Sequence, residues 1–120
     1  YVQLILGATF RHTGNRMILI PHVAGAFFVL IHAILVWAFA AKNMAGEKKL
    51  IDPALALGVL SLLQISLGMG SFIFVVALEK TDIPPGTAHL FFVTAHQTLG
   101  ALLLATAAFF TLRLIRLNRQ

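Results

Sequence analysis

Uncharged apolar runs dominate this chain, and short polar breaks separate them. Residues 17–41 form 25 consecutive positions without a charged side chain, and residues 53–78 and 87–112 form 26 each. A helix needs about 20 residues, at about 1.5 Å rise each, to cross the hydrocarbon core of a bilayer. All three runs are long enough to cross with some tilt. A spanning strand would need only about 9–11 residues of alternating polarity, so runs of this length predict helices. Residues 1–10 are apolar except for Gln3 and Thr9, and they make about half a span. The chain opens on Tyr1, inside that run, and the expectation is that this helix is the truncated end of a longer one. No charged stretch precedes the run, so it does not read as a signal peptide. The predicted helices cover 1–11, 17–41, 52–79 and 87–116.

The breaks fit this division. Thr13-Gly14-Asn15 separates the first two runs, and Asn43 through Lys49 separates the next two. Asp52-Pro53 reads as an N-cap followed by a first-turn proline. Thr81-Asp82-Ile83-Pro84-Pro85-Gly86 interrupts the chain before the last helix. Connections this short make neighbouring helices antiparallel. The expected fold is an all-α, integral membrane, antiparallel four-helix bundle forming one domain over residues 1–120.

Composition narrows the class further. The chain is 59 % hydrophobic and 11 % charged, with a mean hydropathy of +0.92. A soluble domain of this size could not hide that much apolar surface. A soluble globular enzyme, a disordered segment and, with no cysteine, a disulfide scaffold or thiolate metal site are excluded. The formal charge of +5 does not signal nucleic acid, because the basic residues flank the apolar runs. Lys42, Lys48, Lys49, Arg113, Arg116 and Arg119 gather at one end; Arg11, Arg16 and Lys80, beside Glu79 and Asp82, gather at the other. The positive-inside bias assigns the 42–52 loop and the C-terminus to the cytoplasm.

The chain also reads as one helix pair written twice. Gln3-Leu4-Ile5-Leu6-Gly7 in the first run answers Gln64-Ile65-Ser66-Leu67-Gly68 in the third. His22 with Gly25 in the second answers His96 with Gly100 in the fourth. Two such pairs are related by a pseudo-two-fold axis along the membrane normal, which brings His22 and His96 face to face. Ionisable side chains inside a membrane are costly and point to function. Two facing imidazoles in a bundle core suit the axial positions of one b-type haem, and Gly25 and Gly100 would clear space for its faces. A single membrane histidine more often serves as a helix–helix hydrogen bond; it is the pairing that favours ligation. His89, seven residues before His96, stays open as a rival ligand. His32 lies about 280° round the helix from His22 and is assigned to packing, and His12 to the interface.

At this point the residues carry a resemblance. The run Gln3-Leu4-Ile5-Leu6-Gly7-Ala8-Thr9-Phe10-Arg11-His12-Thr13-Gly14 is similar to the Q-x-x-L-G-A-x-x-R-H-T-G signature of the heme A synthase family. The run from Ala95 to Ala105 resembles that family's last-helix motif. The likeness covers nearly the whole chain and corresponds to one of the family's two four-helix bundles, more like the C-terminal one. It implies a haem between histidines of the second and fourth helices, here His22 and His96, in a bacterial inner membrane. It also implies a part in converting haem O to haem A for terminal oxidases, with those haems as substrate and product. The chain departs from the catalytic half of the family, which has a glutamate where this chain has Leu19 and an arginine where it has Val23. The cysteine pair of the first outer loop is absent too.

The resulting expectation is the haem-holding half of a heme A synthase-like oxidoreductase. The alternatives are a non-enzymatic membrane cytochrome of a respiratory or photosynthetic complex, and a cofactor-free scaffold. Arg11, with Arg16, is expected at the rim of the site to pair haem propionates. Expected partners are lipid and a second bundle or other membrane subunits. Those would cover a groove lined by Gln3 and Gln64 and pack on the small-residue face at Gly68-Met69-Gly70-Ser71.

Overall fold

A computed structural model describes residues 1–74, 86–117 and 119. Four helices account for nearly all of them: α1 (Val2–Thr13), α2 (Arg16–Asn43), α3 (Lys48–Phe72) and α4 (Thr87–Leu117). No strand occurs among the described residues. Three helices, α2, α3 and α4, are long and apolar enough to cross a membrane. The expected end of the third helix near residue 79, and the break over 81–85 with Lys80, Glu79 and Asp82, lie outside the described residues.

The turn between α1 and α2 is built as its sequence suggests. Gly14 takes the left-handed conformation (φ 62°), and its N–H donates to Phe10 O at 2.8 Å. That backbone region penalises any residue with a Cβ, which is why glycine ends the helix here. Asn15 then caps α2 by accepting from the Met17 N–H at 3.0 Å. Asn15→Ala is expected to cost about 1 kcal/mol, read as a lower unfolding midpoint in detergent. An unchanged midpoint would show that the cap contributes nothing.

The start of α3 differs from the expectation. Asp52 is not the N-cap and Pro53 is not the first helical residue; the helix begins at Lys48, after Glu47. Glu47 O accepts from the N–H groups of Leu50 (2.8 Å) and Ile51 (3.2 Å), so a full turn forms ahead of the proline. Proline has no N–H and so leaves the carbonyl four residues earlier without its ladder donor. That carbonyl belongs to Lys49, and Arg113 Nη1 donates to it at 3.1 Å. The guanidinium also lies over the Phe109 ring, 4.4 Å from its centroid.

Packing is uneven along the molecule. Leu50, Ala54, Leu57 and Ser61 form one buried stripe on α3, and Ala33 and Ala40 on α2 are buried as well. Near-complete burial of small residues, with Ala54 at 0 % exposure, lets helix backbones approach closely. Apart from Ser61, just past the middle of α3, these residues belong to the half nearer the 44–47 connection. Around the histidines only Gly100 is buried among the described residues.

The outer surface is apolar instead, as with Phe28 at 72 % and Leu35 at 61 % exposure. Exposed hydroxyls are satisfied within their own helices. Thr98 donates to Thr94 O (3.0 Å), Thr106 to Leu102 O (2.9 Å) and Thr111 to Ala107 O (2.9 Å). A surface that seeks no water for its polar groups suits a hydrocarbon surrounding.

Candidate histidine site between α2 and α4

His22 and His96 meet. Their ring centroids stand 6.3 Å apart and the ring planes are nearly perpendicular, at 86°. Each ring is positioned by the glutamine and the glycine of the preceding helix.

On α3, Gln64 Nε2 donates to the His96 carbonyl at 2.9 Å and stands 3.5 Å from His96 Nε2. The Gln64 carbonyl lies 3.1 Å from His96 Nδ1. With its proton on Nδ1, His96 donates to that carbonyl and keeps the lone pair on Nε2. Gly68, one turn beyond Gln64, makes room for the ring: a Cβ there would sit 2.9 Å from His96 Cε1.

On α1, Gln3 plays the corresponding part. With its amide turned to satisfy both ends, its nitrogen donates to His22 O (3.0 Å) and stands 3.1 Å from His22 Nδ1, whose donor or acceptor role follows the tautomer. Its oxygen accepts from the Ala26 N–H at 3.2 Å. The amide thus bridges two backbone groups that pair with each other in a regular helical turn. Gly7, one turn beyond Gln3, leaves room for the second ring; a Cβ there would lie 3.0 Å from His22 Cε1. Pro21, just before His22, withholds a further ladder donor inside α2.

Similar contacts therefore occur twice, with Gln3, Gly7, His22 and Gly25 in one set and Gln64, Gly68, His96 and Gly100 in the other. They differ in that the Gln3 amide oxygen meets the Ala26 N–H, while Gln64 Oε1 is buried without a partner among the described residues. The role expected of Gly25 and Gly100 changes. A Cβ at Gly25 would overlap the Gln3 amide, and one at Gly100 would lie 3.1 Å from Gln64 Nε2. These glycines receive glutamines instead of leaving open space beside the rings. The groove expected to expose Gln3 and Gln64 is corrected in the same way, since both side chains turn onto histidines within the chain. Gly68 and Gly70, expected on a face for a foreign helix, meet His96 and Phe92 of α4.

The other histidines lie apart from this pair. The His89 ring packs near Phe74, with centroids 6.2 Å apart, and its Nδ1 is buried without a partner among the described residues. His32 is exposed and stacks on Phe28 of its own helix at 6.4 Å. His12 and Arg11 are exposed in the last turn of α1. Arg11 follows Gly7 by four residues, on the same helix face. The glutamines are legible in the sequence only as part of the repeat; no spacing rule announces that they reach the histidines.

Two imidazoles on one iron, each with a metal–nitrogen bond of about 2.0 Å, hold their ring centroids roughly 6 Å apart. The observed separation fits that arrangement. No group of three or more His, Cys, Asp or Glu side chains able to hold a metal ion occurs among the described residues. Comparison with family models, with curated proteins and with solved structures finds no match to this chain.

Proposed function

We propose that this chain is a membrane haem-binding domain: an antiparallel four-helix bundle that holds one b-type haem between His22 and His96. The observation that carries this reading is the paired imidazoles at 6.3 Å, held by matching glutamine and glycine contacts. Opposed helix directions are supported by the register of contacts between α3 and α4. Lys49 meets Arg113, Gln64 meets His96, and Gly70 meets Phe92.

The haem supplies a one-electron redox couple when bound. His22 and His96 would hold it, and the Gln64 carbonyl, 3.1 Å from His96 Nδ1, would leave Nε2 as the nitrogen offered to the iron. The Gln64 and Gln3 contacts fix the ring orientations, and such support around a ligand is worth about 10–100-fold in metal affinity. Arg11 stands one turn beyond Gly7, where its guanidinium would pair a propionate at the rim. In the wider protein this domain is the cofactor half of a heme A synthase-like oxidoreductase. It works with a second bundle or other membrane subunits to turn haem O into haem A. The 42–52 loop and the C-terminus face the cytoplasm.

Leu19, which stands where the resemblance expects a glutamate, favours a second reading as an electron-transfer cytochrome. A reduced-minus-oxidised spectrum of the purified protein tests what both readings share. The expected result is a low-spin b-type band at one haem per chain; no haem band would overturn both.

A further inference from the structure

A second site lies at the opposite end of the molecule from the histidines. Lys48 and Lys49 occupy the first turn of α3, which contains no acidic residue. This runs against the usual preference, since a helix N-terminus carries partial positive charge and favours anionic side chains. Arg113 adds a third cation, drawn to the same spot by its bond to Lys49 O (3.1 Å) and its seat on Phe109. Among the described residues Asp52 is the only acid lining the cleft, and the Glu47 side chain makes no capping bond to α3. Asp52, four residues after Lys48 and three after Lys49, offsets part of this charge, which leaves three cations against one carboxylate and an excess that a bound anion would balance.

The space for that anion is present. A shallow, open cleft of about 430 Å³ lies between α3 and α4, bordered by Lys48, Lys49 and Arg113 and flanked by Ala56 and Phe109. Its basic mouth and apolar wall have the two-part character of a phospholipid. We infer that this cleft binds an acidic phospholipid, with the phosphate among the three cations and an acyl chain along the wall. The inference rests on the membrane reading of the helices and is independent of haem.

The test is native mass spectrometry of the full chain extracted from nanodiscs made of phosphatidylcholine, with and without phosphatidylglycerol. Retention of one phosphatidylglycerol is expected, preferred over phosphatidylcholine by roughly tenfold or more, given the contribution of each surface cation. The K48Q/K49Q/R113Q variant should lose the preference. The K42Q/R116Q variant, which removes charge from the same end outside the cleft, should keep it. Equal loss in both variants would reduce the effect to diffuse surface charge and overturn the site. So would equal retention of the two lipids by the unaltered protein, a result that needs no variant to fold. Displacement of the lipid by inorganic phosphate would reassign the cleft to a soluble anion. Resistance of the chain to alkaline extraction from vesicles checks the membrane reading separately.

Discussion

His96→Ala protein is expected to lose the low-spin haem spectrum, and His22→Ala protein is expected to do the same. Each substitution removes one of two imidazoles whose centroids lie 6.3 Å apart. A haem left with one protein ligand becomes five-coordinate and high-spin, or leaves the protein. The loss should exceed the about 10–100-fold drop in affinity that follows removal of a supporting residue behind a ligand. His89→Ala serves as the internal comparison, because its ring packs near Phe74. Unchanged spectra at both His22 and His96 would overturn the ligand assignment. An effect at His89 without one at His96 would move the ligand two turns along α4.

Much of the architecture is legible because solvent preference leaves a long, simple signal. The runs at 17–41 and 87–112 correspond to α2 and α4 with ends shifted by a few residues at most. Gly14 and Asn15 are legible because their turn chemistry is local. The start of α3 is not, because Pro53 looks like a first-turn residue when only its neighbours are considered. The carbonyl that Pro53 leaves without a ladder donor, that of Lys49, is met by the Arg113 guanidinium, 64 positions away in sequence. No local pattern carries that information.

The candidate site divides in the same way. The recurrence of Gln-x-x-Leu-Gly before each histidine is visible in the sequence, and so is the pairing of His22 with His96. The function of the recurrence is not, because it depends on tertiary contact. Glycines 7 and 68 accommodate imidazoles, while glycines 25 and 100 accommodate glutamine amides. A sequence distinguishes glycine from alanine but not which neighbour fills the missing volume.

That missing volume makes a signed prediction possible from one chemical change at two places on α3. A methyl group added at Gly58 would meet nothing within 4 Å, and the backbone there is ordinary helix. Gly58→Ala should therefore stabilise the protein by up to about 1 kcal/mol through helix propensity alone. Gly68→Ala gains the same propensity but brings its Cβ within 2.9 Å of His96 Cε1. The ring cannot simply retreat, because Nδ1 is held at 3.1 Å by the Gln64 carbonyl. Overpacking of this kind costs about 1–3 kcal/mol, enough to cancel or outweigh the gain. Denaturant unfolding in mixed micelles should raise the midpoint of Gly58→Ala and leave that of Gly68→Ala unchanged or lower. Gly7→Ala, whose Cβ would lie 3.0 Å from His22 Cε1, should behave like Gly68→Ala. Equal stabilisation at positions 58 and 68 would show that the His96 ring does not occupy the space beside Gly68.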